Sequence, residues 1–106
     1  MRILEQVVIP PDKLNDYLLV WRPRSDKSRF LAQAGFTPRN PESLDAALRQ
    51  LVAENDAKPD RIDEYGQFVQ IEGMLAGPTA TLRVITVWIR PRNDSRFRFV
   101  TLKPAR

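Results

Sequence analysis

Thr81-Leu82-Arg83-Val84-Ile85-Thr86-Val87-Trp88-Ile89-Arg90 is rich in β-branched and aromatic residues, with Gly77-Pro78 as a turn signal before it and Asn93-Asp94-Ser95 after it. Such residues suit a pleated, half-buried surface, so the run predicts a strand over about 80–91. Successive side chains on a strand point to opposite faces. Ile85, Val87 and Ile89 therefore share one face, and Val84, Thr86, Trp88 and Arg90 the other. Working outward, the same composition predicts strands over about 61–65, 67–76 and 96–103. Tyr65-Gly66 marks the first turn among them, and turns this short imply antiparallel neighbours. Every face is partly apolar, so alternation alone leaves open which side the rest of the chain covers. The other side is expected to stay open, with Arg, Thr and Trp side chains on it.

The first half reads differently. Gln6-Val7-Val8-Ile9 is a short apolar run ended by Pro10-Pro11, suited to an edge strand or to covering the core. Pro11 fits a first helical turn, and Leu14, Tyr17, Leu18 and Trp21 follow at spacings of three and four until Pro23. Ser25 or Asp26 suits the cap of a second helix, with Phe30, Leu31 and Ala34 inward and Gly35 just past its end. Asn40-Pro41-Glu42 opens a third helix reaching about Glu54, whose stripe is Leu44, Ala47, Leu48, Leu51 and Val52. The expected architecture is α+β: about three N-terminal helices (about 11–55) packed on a four-stranded antiparallel sheet (about 61–103). A length of 106 residues fits one domain.

Composition excludes several chemistries. The chain has no Cys and no His, so disulfides, thiolate zinc sites, cysteine nucleophiles and Ser-His-Asp triads are ruled out. Acid–base work would fall to Asp, Glu, Tyr or Lys. No metal cluster or cofactor motif stands out, so no metal or cofactor is expected. No apolar run is long enough to span a membrane, and the first residues do not resemble a signal peptide. A cytoplasmic protein is the expectation. Charge is lopsided: residues 1–76 hold ten Lys/Arg against twelve Asp/Glu, whereas residues 77–106 hold seven against one. A one-sided basic field attracts a phosphate backbone or an acidic protein, although a charge run is often only a solvated face.

Three groupings offer chemistry. Arg22, Arg24, Lys27 and Arg29 surround the start of the second helix, where an anion is favoured; their long side chains also suit plain packing over apolar surface. Arg83, Arg90, Arg96 and Arg98 interleave with Trp88, Phe97 and Phe99, a pattern suited to phosphate pairing and base stacking. Phe and Trp at strand spacing are nonetheless core residues in most proteins. Asp60, Asp63, Glu64 and Glu72, with Tyr65, include candidates for a general base.

Asp12-Lys13-Leu14-Asn15-Asp16-Tyr17-Leu18-Leu19, Lys27-Ser28-Arg29-Phe30-Leu31 and Gly35-Phe36-Thr37 look like segments of a family of small uncharacterised bacterial domains. So do Glu72-Gly73, Gly77-Pro78, Val87-Trp88-Ile89 and Arg98-Phe99-Val100-Thr101. That family resembles the barnase–EndoU–colicin–RelE-like group of bacterial toxin nucleases. The resemblance implies metal-independent RNA cleavage on the open sheet face, with an acidic antitoxin or immunity protein as partner. It assigns catalytic roles to Lys27, Arg98 and Thr101. Arg29, Arg83, Trp88 and Arg90 would then bind RNA, with Trp88 stacked on a base. Arg98 and Thr101 are three apart, so strict alternation separates them; either a bulge brings them to one face or only one acts. The alternatives are a non-enzymatic module for nucleic acid or an acidic partner, and a subunit that dimerises through an edge strand.

Overall fold

The computed structural model describes residues 2–3, 7–19 and 27–105, with the backbone alone for Asp16. Strand β1 (Val7–Val8) leads into α1 (Pro11–Lys13), α2 (Ser28–Ala32) and α3 (Pro41–Glu54). Strands β2 (Lys58–Asp63), β3 (Gly66–Ala76), β4 (Thr81–Pro91) and β5 (Phe97–Pro104) follow. The class is α+β, as the sequence predicts.

The sheet differs from the expected four antiparallel strands. Among the described residues it has five, in the order β1-β5-β4-β3-β2, and β1 runs parallel to β5 through Val7↔Phe97 and Val8↔Arg98. Only hairpin neighbours are forced to be antiparallel; β1 and β5 lie at opposite ends of the chain and escape that constraint. Pro10 and Pro11 lack the N–H groups that a longer β1 would need, so the strand stops after two residues.

After α1, the Leu19 amide donates to the Leu14 carbonyl at 3.0 Å, an i→i+5 bond that makes Leu14–Leu18 a π-helical turn. The wider turn buries Leu14, Leu18 and Leu19 together and leaves Tyr17 half-buried. The predicted Trp21 and Pro23, and the Ser25 or Asp26 cap, lie outside the described residues. Gly35 follows α2 with φ 90, and the Phe36 amide closes onto the Leu31 carbonyl at 3.2 Å. That left-handed step suits glycine. Asn40 stands at the start of α3, but its side-chain oxygen accepts from the amide and hydroxyl of Thr37, both at 2.8 Å. It fastens the preceding loop rather than capping the helix.

All five residues of the α3 stripe are buried. They share one core with Val69, Ile71 and Leu75 of β3 and Val84 and Trp88 of β4, between which Thr86 is also buried. Gly73 marks the closest crossing, since a Cβ there would come within 2.4 Å of Asn55 Nδ2. The helices thus cover the face of Val84, Thr86 and Trp88, and Ile85, Val87 and Ile89 line the opposite, only partly buried face.

One irregularity in β5 decides where its side chains go. Val87 pairs with Thr101, but the next residue, Trp88, pairs with Phe99, so Val100 is extra. Phe99 and Leu102 are three apart and both buried, at 1% and 0% exposure. Regular alternation forbids this, and a β-bulge supplies the missing half-step.

Candidate functional site

The same bulge settles the alternation problem. Arg98 and Thr101 each precede a buried residue, and their register partners, Ile89 and Val87, share the open face. Those partners are two residues apart, so the two backbones stand about 7 Å apart along the strand.

Thr101 is the centre of a small polar cluster. Lys27, immediately before α2, donates from Nζ to Thr101 Oγ1 at 2.6 Å. The Tyr17 hydroxyl, from the π-helical turn, lies 3.2 Å from the same oxygen. Two ammonium groups lie near the Tyr17 ring, Lys13 Nζ and Lys27 Nζ, each 5.7 Å from its centroid. All four residues are half-buried, which strengthens each electrostatic contact relative to open water. The Tyr17 phenol is held below its ordinary value: the Thr101 hydrogen bond favours the ionised form most, burial opposes it, and Lys27 and Lys13 add attraction. Among the described residues every ion pair uses an arginine, and neither lysine takes part in one.

The other expected site residues do not assemble with this cluster. Trp88 is a correction. It has 0% exposure, packs edge-on against Phe99 with ring centroids 5.2 Å apart, and donates its indole N–H to Thr86 Oγ1 at 2.7 Å. Buried under the helices, it has no face to offer a base. Arg90 alternates with Trp88 and so belongs to the helix-covered side, where it donates to Gln67 Oε1 at 2.8 Å and lies over Phe97. Arg83 is on the open face but is clamped by Glu72, with Nη2 and Nε at 2.8 and 3.0 Å from one carboxylate oxygen. It also pairs near the far end of β4 from Arg98's partner Ile89, six residues or roughly 20 Å away. The expected arginine patch is therefore divided between two faces and two ends. Arg98 approaches Asp94 Oδ2 at 3.8 Å. Arg29 is exposed on α2 beside a shallow apolar depression formed by Leu19, Ala32, Phe36 and Pro38. Arg22 and Arg24 lie outside the described residues.

The proposed base candidates are also remote. Tyr65 sits in the β2–β3 turn, near the opposite edge of the sheet from β5. Asp63 accepts from the Tyr65 amide, Asp60 from Gln70, and Glu72 holds Arg83. A cavity of about 560 Å³ lies beside Glu54, Asp56, Lys58, Glu72 and Arg83, but its mixed charges do not suit a polyanion. Among the described residues no group of three or more acidic side chains converges on a metal-sized site. No helix among the described residues is long and apolar enough to cross a membrane.

Sequence reasoning missed Tyr17 as a site residue because its spacing assigned it to the core stripe of the first helix. The signal was its hydroxyl, since a tyrosine at the rim of a core brings its polar end to a partner, together with Lys13 one turn earlier.

Comparison with curated proteins and with solved structures gives no match. The family model described as "Domain of unknown function (DUF6883)" matches residues 2–106, nearly the whole chain, and the protein belongs to that family.

Proposed function

We propose that the protein is a small metal-independent ribonuclease of toxin type, acting in the cytoplasm, whose chemistry centres on Lys27, Thr101 and Tyr17. The observation that supports this reading is the continuous hydrogen-bonded line from the Lys27 ammonium through the Thr101 hydroxyl to the Tyr17 phenol. RNA cleavage without metal needs three things: a proton acceptor for the ribose 2′-hydroxyl, positive charge around the phosphorus, and a proton for the departing 5′-oxygen.

In this reading Tyr17, as phenolate, takes the 2′-hydroxyl proton while the 2′-oxygen bonds to phosphorus. Lys27 and Arg98 hold the nonbridging oxygens as charge builds in the transition state. The bond to the 5′-oxygen breaks, and that oxygen takes a proton from the Lys27 ammonium. The products are a 2′,3′-cyclic phosphate and a 5′-hydroxyl. The Tyr17 phenol then returns its proton through Thr101 to the neutral Lys27 amine, which restores the starting state. Tyr17 thus replaces Tyr65 and the carboxylates as the base.

The test is incubation of the pure protein with total RNA and with tRNA in EDTA. Cleavage leaving cyclic phosphate ends, abolished by Lys27→Ala with the fold intact, is the expected result. Intact RNA at a large excess of protein refutes the reading.

A second reading, a non-enzymatic module for an acidic protein, is favoured by the open face itself. Ile85, Val87 and Ile89 form a partly buried apolar spine there, with Met74 52% exposed beside it and Arg83, Arg98 and Lys103 around it. An apolar centre with a basic rim suits a protein surface better than unpaired bases. Neither cleavage of RNA nor salt-sensitive binding to it is the result that selects this reading.

A further inference from the structure

We propose that Lys13, which the cleavage chemistry above does not use, completes with Lys27, Thr101 and the Tyr17 hydroxyl a binding site for a phosphoryl anion. We propose further that anion binding and Tyr17 ionisation compete at this site. The inference uses the same cluster as the proposed ribonuclease but does not require that RNA be cleaved.

The geometry points to it in three ways. First, the two ammonium groups come from separate elements, Lys13 at the end of α1 and Lys27 at the start of α2, and each lies 5.7 Å from the centroid of the same ring. Like charges held about one half-buried ring repel each other, and an anion relieves that repulsion. Second, among the described residues no carboxylate pairs with either lysine, whereas Arg2, Arg49, Arg61, Arg83, Arg96 and Arg98 all have acidic partners. Third, the hydroxyls of Thr101 and Tyr17 are 3.2 Å apart, with Lys27 Nζ 2.6 Å from Thr101 Oγ1, and they add the directional donors that a phosphoryl oxygen takes up.

The competition follows from charge. Among the described residues, Lys13 from α1 and Lys27 from the start of α2 act on Tyr17 as charges, and β5 contributes the neutral Thr101. Both ammonium groups favour the phenolate. A bound phosphate dianion occupies the same two cations and adds its own repulsion, so it raises the pH at which Tyr17 ionises. By linkage, ionised Tyr17 weakens phosphate binding by the same factor.

The sequence makes this measurable. Tyr17 and Tyr65 are the chain's two tyrosines, and Tyr65 is 68% exposed in a turn, so Tyr65→Phe leaves Tyr17 as the single tyrosinate reporter in the near ultraviolet. The full-length Y65F protein is titrated with pH in chloride and in inorganic phosphate of matched ionic strength. A third arm uses a short 2′-deoxy oligonucleotide, which has no 2′-hydroxyl and cannot be cleaved by this route. The expected result is ionisation below the free-tyrosine range in chloride and a shift upward in phosphate. Lys13→Ala should weaken phosphate binding by roughly tenfold, the loss of one charge-assisted contact, and should reduce the phosphate-induced shift. A shift with phosphate and none with the oligonucleotide assigns the site to a free phosphate or terminal phosphoryl group; a shift with both assigns it to a nucleic-acid backbone as well. An ionisation curve for folded Y65F that is identical in chloride and phosphate overturns the proposal. RNA cleavage alongside that null result leaves the ribonuclease standing without this site, and intact RNA alongside a clear shift leaves the site standing without the ribonuclease.

Discussion

Thr101→Val isolates the hydroxyl on which the cluster turns. Valine keeps the volume and β-branching of threonine, so strand preference and packing at the bulge change little. What disappears is the acceptor for Lys27 Nζ at 2.6 Å and the contact with the Tyr17 hydroxyl at 3.2 Å. A hydrogen bond to a charged group contributes about 1.5–3 kcal/mol when both partners are well shielded. Here Lys27 and Tyr17 are half-buried, and water regains both once the hydroxyl is gone. A net loss of about 1 kcal/mol is therefore expected, equivalent to roughly 4 °C in Tm for a domain of this size. The functional effect is larger, because the lost group would bridge acid and base: cleavage of RNA should fall by about 10² or more. Urea unfolding and a fluorescent-substrate cleavage assay measure the two effects on the same preparation. A folded T101V that cleaves RNA at the parental rate, or whose Tyr17 ionises where it did before, refutes the argument that this oxygen joins the two groups.

Thr86→Val removes the acceptor of the buried Trp88 indole N–H at 2.7 Å and the donor to the Ile71 carbonyl at 2.8 Å. With no water to replace them, the cost in urea unfolding should reach about 2–4 kcal/mol, well above that of T101V. For Tyr17, a folded pKa below the unfolded one means that the native state binds fewer protons there. The parent's stability advantage over Tyr17→Phe should therefore grow as pH rises through the folded pKa toward the ordinary value of 10.0, and be lost again as pH falls. Equal pH dependence of the two proteins excludes the depressed phenol. Because Glu72 already holds Arg83, Arg83→Ala should leave the salt dependence of RNA binding nearly unchanged. Arg98→Ala should reduce the slope of log K against log salt by about 0.7 per lost phosphate contact; equal slopes for the two variants contradict the placement of RNA near β5.

The fold was legible wherever a local rule acts alone. Leu44, Ala47, Leu48, Leu51 and Val52 declare α3 by spacing, and Gly35 marks the end of α2 because the chain needs φ 90 there. The turn signals at Tyr65-Gly66, Gly77-Pro78 and Asn93-Asp94-Ser95 separate β2 to β5, with β3 to β5 close to their observed limits, whereas β2 begins at Lys58 and ends at Asp63 rather than spanning about 61–65. What sequence could not decide were relations between distant segments. Val7–Val8 finds its parallel partner in β5, some ninety positions later, and no local pattern encodes that choice. Nor does alternation reveal that Trp88 faces the helices, because Ile85, Val87 and Ile89 form an equally apolar stripe. The site was half legible. Lys27 and Thr101 were named together only through a family likeness, and they do meet at 2.6 Å. Tyr17 and Lys13 stayed hidden because their helical spacing has a sufficient explanation in packing.

The unmatched residue Val100 ties interior and surface into one arithmetic. Removing Val100 outright would set Phe99 and Thr101 side by side opposite Trp88 and Val87 and leave both flanks on their present faces, whereas straightening β5 with Val100 kept would rotate every side chain on one flank by half a turn. In that straightened strand, with the residues before Val100 held in place, Thr101 would turn inward and Leu102 outward. Descendants of this gene can exchange residues around the site, or lose Val100 itself, but they cannot keep that residue and flatten the bulge without giving up either the filling of the core or the hydroxyl at its margin.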